Sequence, residues 1–212
     1  MSRSAPTTVV FDLGGVLVDW DPRYLYRSLL ADDDAVESFL AEVTTPEWNA
    51  AQDAGRSWDD AVAALTAQHP NHAELIAAYH HRWTETIGGQ IDGTVDLLRE
   101  LRDTGVGLYA LTNWSDEKFP HAEERFDWLS WFEGIVVSGR EGLVKPDARI
   151  FRVLLDRYGL DPSVSVFIDD NPANVEAARE LGFTALRFTG SQQLAGSLAE
   201  LGLVPNRKEA TA

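Results

Sequence analysis

The chain of 212 residues is 44% hydrophobic, which suffices for one α/β domain with a modest insertion and a proper core. Its 34 acidic residues against 18 lysines and arginines leave a formal net charge of −16, so nucleic acid and anionic membranes are repelled and neither is an expected partner. With no cysteine, disulfides, thiolate chemistry and cysteine-held zinc are excluded, and an anionic substrate would need help from a metal ion, a lysine or backbone N–H groups.

The N-terminus has neither the basic start nor the apolar stretch of a signal peptide, and no apolar run is long enough to span a bilayer. A soluble, cytoplasmic protein is expected. Val9-Val10-Phe11 reads as a short buried strand that delivers Asp12 to a Gly14-Gly15 turn, followed by Val16-Leu17-Val18. A carboxylate at the carboxyl end of such a strand stands at the rim where open α/β sheets bind ligands. Residues 21–88 carry helix-start signals instead. Asp21-Pro22 and Thr45-Pro46 are N-caps with proline at the first helical position, and Ser57 with Asp60 resembles a capping box. Rich in Ala, Leu, Trp and Glu and without a convincing strand, this segment is expected to form four or five short helices over the sheet's carboxyl edge.

From residue 92 onward the periodicity alternates. Helices are predicted over 92–101, 115–132, 147–158 and 172–181, and strands over 106–111, 135–137, 164–168 and 184–188. This alternation implies an α/β fold with a doubly wound parallel sheet, built from residues 1–20 and 89–212 and interrupted by the helical insertion 21–88. The ends, about 1–6 and 205–212, are expected to be poorly ordered.

Four polar clusters fall at successive strand ends: Asp12, Thr112-Asn113, Lys145-Pro146 and Asp169-Asp170-Asn171. Taken singly, each has an ordinary reading. Asp12 suits an Asx-turn, Thr112-Asn113 a strand-ending turn, Lys145-Pro146 a surface loop, and Asn171-Pro172 the start of a helix. Asp169-Asp170 is harder to dismiss, because adjacent carboxylates at a buried strand's end repel each other unless a cation or proton intervenes. Together the clusters offer an acidic nucleophile, a hydroxyl and an amide, a lysine and a cation-binding acidic pair. That inventory suits phosphoryl transfer, in which catalysis is largely positioning and charge neutralisation.

The set Phe11-Asp12-Leu13-Gly14-Gly15-Val16, Leu111-Thr112-Asn113, Lys145-Pro146-Asp147 and Phe167-Ile168-Asp169-Asp170-Asn171 resembles the four motifs of the haloacid dehalogenase superfamily. Within it, the chain is similar to the subgroup of α-D-glucose-1-phosphate phosphatase and the N-terminal phosphatase domain of soluble epoxide hydrolases. The resemblance covers roughly residues 8–190 and implies a Rossmann-like core with the insertion as a cap. It implies that Asp12 is the nucleophile, forming an aspartyl-phosphate. Mg²⁺ would be held by Asp12, the Gly14 carbonyl and Asp170, while Asp169 acts through water or orients Lys145. Thr112 and Asn113 would bind the phosphoryl group, and Lys145 would neutralise its charge. Asn174 stands where many relatives carry another acidic residue.

The departure is Gly14, where most phosphatases of the superfamily have the Asp that protonates the leaving oxygen and later activates water. The expected function is a Mg²⁺-dependent phosphatase for a small phosphate monoester. A sugar 1-phosphate is favoured, because its anomeric oxygen leaves with less need of an acid. Asp19 is the first carboxylate to consider as a substitute acid. A metal-independent 2-haloacid dehalogenase is the alternative, with Arg23, Arg27 and Arg56 as carboxylate binders although an ordinary surface role is favoured for them, and a catalytically silent binding protein is the third reading. Trp20 and Trp114, beside the motifs, and Arg56, in a turn of the insertion, are candidates for the substrate pocket, although tryptophans are more often packing residues. A monomer or homodimer is expected.

Overall fold

The structure is a computed structural model and describes residues 5–205. Five parallel strands make the central sheet: β1 (Thr8–Phe11), β4 (Gly107–Thr112), β5 (Gly134–Val137), β6 (Ser165–Asp169) and β7 (Thr184–Arg187). They lie in the order β5-β4-β1-β6-β7. The strands are buried on both faces, as their apolar runs require. Val9, Phe11, Leu108, Ala110, Val166 and Ile168 point into one apolar cluster, whereas Val10, Tyr109, Leu111 and Phe167 point into the other. The first cluster is completed by α6 (Asp92–Thr104) and α11 (Ser191–Glu200), the second by α9 (Ala148–Tyr158) and α10 (Pro172–Glu180). Burying a side chain such as Phe151 or Leu97 contributes roughly 1.5–3 kcal/mol, and both are fully enclosed.

The insertion forms α1 (Arg23–Tyr26), α2 (Asp33–Glu42), α3 (Pro46–Asp53), α4 (Trp58–Gln68) and α5 (Ala73–His81). Thr45 accepts a hydrogen bond from the Trp48 N–H and Ser57 from the Asp60 N–H, so both act as N-caps. Asp21 instead receives the Arg23 N–H in an Asx-turn before the single turn of α1. These helices close around Tyr26, Phe39, Trp48, Trp58 and Tyr79, with the Tyr26 and Tyr79 rings stacked at 5.8 Å and Trp58 tilted against Tyr79 at 5.4 Å. The fold is thus a Rossmann-like parallel sheet with an inserted helical cap.

Several elements differ from the sequence expectation. A strand, β3 (Ile87–Gln90), stands at the exit of the insertion and pairs antiparallel with β2 (Val18–Trp20) at its entrance. Its Gly88-Gly89 centre carries no strand signal. The single helix expected over 115–132 is a loop, then α7 (Phe119–Arg125), then a 3₁₀ turn over Asp127–Trp131. Pro120 sits in the first turn of α7, where its missing N–H costs nothing, and Phe126 is extended and breaks the run. Helix α11 follows the last predicted strand and was not anticipated, because Gly190 offers no side-chain cap before it. Of the ends expected to lack order, residues 1–4 and 206–212 lie outside the described residues, while Ala5, Pro6 and Pro205 have no regular structure. No helix among the described residues is long and apolar enough to cross a membrane.

Candidate active site

The strand order places the carboxyl ends of β4, β1 and β6 side by side. Asp12 directly follows β1, and its N–H donates to the Ile168 carbonyl at 2.8 Å, which extends the ladder by one residue. Thr112 ends β4 and Asp169 ends β6. The Lys145 Nζ, fully buried, lies 2.8 Å from Asp12 Oδ1 and 2.7 Å from Asp169 Oδ2. The short α8 (Ser138–Glu141) lies between β5 and the loop that carries Lys145. Asn113 holds this loop in place: its Oδ1 accepts from the Lys145 N–H at 2.8 Å, and its Nδ2 donates to the Lys145 carbonyl at 3.0 Å. Asn113, expected at the phosphoryl group, has its side-chain amide engaged with the Lys145 backbone and positions the lysine. The Thr112 hydroxyl is buried with no hydrogen-bond partner.

Asp169 is held on all sides. It receives the lysine, the Asn171 N–H at 2.8 Å, and both its oxygens lie 3.0 Å from Asn174 Nδ2. Asn174, where an acidic residue was noted as usual among relatives, is here a donor that orients Asp169. Asp170 is exposed and turns over the glycine turn. A Cβ on Gly15, which has φ +72°, would lie 2.6 Å from Asp170 Oδ2, so this turn admits only glycine beside the carboxylate. Asp12, Asp169 and Asp170 each present an oxygen, and all three oxygens lie within 4.8 Å of one another.

The electrostatics follow from this crowding. Burial pushes the Asp12 carboxyl upward, more than the Lys145 contact offsets, and Asp169 adds to the rise. Burial pulls the Lys145 ammonium down, but Asp12 and Asp169 beside it prevail and hold it above the usual lysine value. Burial and then Asp169 raise Asp170. With all three carboxylates ionised, one ammonium leaves two negative charges for a cation to balance, and the raised values of Asp12 and Asp170 express that need. An all-oxygen donor set with that surplus fits a hard divalent cation such as Mg²⁺.

A cavity opens at Gly14, two residues along the chain from Asp12, where a Cβ would meet no atom within 4 Å. Trp20, Trp114, Asn113 and Gly14 all line it, so the two tryptophans expected near the substrate come together there. Arg56 is not brought to this cavity. Its guanidinium donates to Gln52 Oε1 at 2.7 Å and to the Trp48 carbonyl at 3.2 Å and lies over the Trp48 ring, which ties it into the cap. Arg23 and Arg27 are paired with Glu37 and Asp33. Asp19 accepts from the Tyr24 hydroxyl at 2.8 Å and packs against Gly88, outside the Gly14 cavity. Asp53, at the end of α3, lines the cavity, and nothing in its sequence context, Ala50-Ala51-Gln52-Asp53-Ala54-Gly55, marked it.

A buried aspartate paired with a lysine, beside an acidic cluster able to hold a cation at the carboxyl edge of a capped parallel sheet, is an arrangement suited to a hydrolase. The profile of the haloacid dehalogenase-like hydrolases matches residues 6–182, and the chain belongs to that family. The sesquiterpene phosphatase astK of Aspergillus oryzae is 29% identical over 193 residues, which span 91% of this chain and 94% of the relative. Several other curated relatives are longer, and the chain spans less than half of their length. A HAD-family enzyme of Bacteroides thetaiotaomicron, solved with magnesium and inorganic phosphate, superposes with a TM-score of 0.66 at 22% identity, covering 87% of this chain and 95% of that one. The L-2-haloacid dehalogenase of Xanthobacter autotrophicus superposes with a TM-score of 0.63 at 16% identity, covering 94% of this chain and 85% of that one. At such identities the superpositions carry the fold alone.

Proposed function

We propose that this protein is a Mg²⁺-dependent phosphatase for small phosphate monoesters, sugar 1-phosphates among them, with Asp12 as nucleophile. The observation that carries this reading is the Asp12, Asp169 and Asp170 cluster, of which Asp12 and Asp169 share one buried lysine while Asp170 pairs with none among the described residues. A metal-free dehalogenase site for a carboxylate substrate would gain nothing from that surplus of negative charge. The phosphatase activity named for astK, over nearly the whole of both chains, points the same way.

In this reading an Asp12 oxygen attacks phosphorus in line, the alcohol departs, and water then cleaves the acyl phosphate to return Asp12 and inorganic phosphate. Asp12, Asp170 and the Gly14 carbonyl would hold Mg²⁺, which when bound supplies charge neutralisation at the phosphoryl oxygens. Asp169 keeps Lys145 aimed at Asp12, and Lys145 balances charge on the transferring group. The Thr112 hydroxyl, buried without a partner, gains one when a phosphoryl oxygen arrives. Residues 21–88 form the cap that selects the alcohol and excludes water when closed.

The test is a panel of phosphate esters assayed with and without Mg²⁺, together with 2-haloacids. Phosphate release that requires Mg²⁺ and vanishes in Asp12→Asn is the expected result. Metal-independent halide release would replace this reading with the dehalogenase one.

A further inference from the structure

Position 14 has no side chain to protonate the leaving group, and Asp19, the nearest carboxylate along the chain after Asp12 itself, is turned to Tyr24. A second, larger cavity of about 520 Å³ lies within the cap and meets the Gly14 cavity at Trp20, Asn49 and Asp53, which line both. The Gly14 cavity is lined by Gly14 and Asn113, from the two strand-end segments that carry Asp12 and Thr112, so the larger one is the place for the alcohol part of the ester. The bond to be broken then lies at their junction. Two carboxylates line these cavities, and one of them, Glu37, is in an ion pair with Arg23. The other is Asp53.

We propose that Asp53 of the cap is the acid that protonates the leaving oxygen, taking the role for which position 14 has no side chain. This rests on the phosphatase reading and deepens it. Asp53 is fixed from both sides: Asn49 Nδ2 donates to its Oδ2 at 3.1 Å, the Ser115 N–H donates to its carboxylate, and the Ser138 hydroxyl donates to its backbone carbonyl at 2.6 Å. Two of these donors belong to the core, so the acid is in place only when the cap is docked. Its carboxylate is reached through the cavity, while surrounding protein displaces bulk solvent. That desolvation pushes its carboxyl up to about 7, against the lowering by the Ser115 N–H. An acid tuned near the working pH is best suited to give and retake a proton.

The step balances as follows. As an Asp12 oxygen bonds to phosphorus, the bond from phosphorus to the ester oxygen breaks, and that oxygen takes the electron pair and the Asp53 proton to leave as a neutral alcohol. Water then attacks phosphorus and gives its proton to the Asp53 carboxylate as the bond from Asp12 to phosphorus breaks. Inorganic phosphate leaves, and both aspartates are restored.

The test uses the Mg²⁺-loaded enzyme with 4-nitrophenyl phosphate, phenyl phosphate and glucose 6-phosphate, which need increasing help to expel the alcohol. The wild type should depend shallowly on leaving-group acidity. Asp53→Asn should lose about 10²–10⁴-fold on glucose 6-phosphate, the usual worth of a general acid, and far less on 4-nitrophenyl phosphate. Adding Gly14→Asp to Asp53→Asn should flatten the dependence again, since position 14 has room for a side chain and does not have a positive φ. Equal losses on all three esters would overturn the proposal, leaving Asp53 a tether of the cap and the phosphatase reading intact. A wild type as steep as Asp53→Asn would overturn it as well. Absence of any phosphate release from 4-nitrophenyl phosphate by the wild type would overturn the phosphatase reading and, with it, the proposal.

Discussion

Trp58 of the cap donates its indole N–H to the Ser115 hydroxyl of the core at 3.0 Å, in the loop that follows Thr112 and Asn113. Around this bond the Trp58 N–H donates to Glu117 Oε1 at 3.0 Å, and Lys118 lies over the indole ring while donating to the His80 carbonyl at 3.0 Å. The contact joining cap to core is thus built on the same loop that lines the Gly14 cavity. The docked position of the cap and the shape of the site rest on one loop.

This contact should respond to pH. The Lys118 ammonium lies 2.7 Å from His80 Nδ1, so that nitrogen must be the acceptor and the imidazole neutral. Burial, then Lys118 and His81, lower the His80 value below 6.5, while Asp59 and Glu117 oppose them weakly. A base held below its ordinary value stabilises the docked state fully above about pH 6.5, and that stabilisation is lost as pH falls through the lowered value. Hydrogen exchange of α5 should therefore accelerate below pH 6.5 while exchange of β1 and β6 does not. Equal acceleration in cap and core would sink this assignment.

Asp12→Asn should abolish turnover, by roughly 10⁴-fold or more, as loss of a nucleophile commonly does. The fold should survive, because an amide oxygen can still accept the Leu13 N–H and Lys145 keeps Asp169. Since burial disfavours the charged Asp12 carboxyl, the metal-free variant should melt no lower than the metal-free wild type. Thermal unfolding without Mg²⁺ checks the second point, and phosphate release the first.

The two adjacent aspartates should separate by phenotype. Asp170→Asn removes an exposed oxygen donor and should weaken Mg²⁺ binding, read as a higher Mg²⁺ concentration for half-maximal rate. Asp169→Asn disturbs Lys145 and Asn174 instead, and changes of that kind commonly cost about 10–100-fold in activity or metal affinity. Its deficit should persist at saturating Mg²⁺. Full rescue of Asp169→Asn by added Mg²⁺ would reverse the two roles.

Gly14 and Gly15 should differ although adjacent. Gly15→Ala puts a methyl 2.6 Å from Asp170 Oδ2 on a left-handed backbone, costing about 1–2 kcal/mol in conformation alone. It should also displace Asp170 and raise the Mg²⁺ requirement. Gly14→Ala meets no atom and should leave the melting temperature nearly unchanged. Paired melting curves and Mg²⁺ titrations make the comparison.

What was legible in the sequence followed from strong local patterns. Val9 to Phe11, Leu108 to Leu111 and Val166 to Ile168 are apolar runs that only a doubly covered sheet can bury, and their order alone brings Asp12, Thr112 and Asp169 to one edge. What was not legible depended on distant partners. Asp53 sits at a helix end that looks solvent-facing, and only docking against Ser115 and Ser138 gives it an interior position. The same tertiary contacts hold the 113–118 loop, where the Trp114 N–H donates to the Ser138 hydroxyl, and prevent the longer helix expected there. Arg56 shows the reverse case, a turn residue that looked free to reach outward and is spent on Gln52 and Trp48.

The pairing of β2 with β3 has a consequence for how much the core must know about its insertion. Trp20 pairs with Ile87 and Asp19 with Gly89, so the chain departs and re-enters at neighbouring strand positions, about 5 Å apart. To the sheet, everything between is a hairpin loop of unusual size. Lengthening a loop is thermodynamically mild, about 0.6 kcal/mol for each doubling. Positions 20 and 87 should therefore behave as a socket: an insert of different length exchanged there is expected to leave the carboxylates below in their places, provided it supplies its own contact to the 113–118 loop.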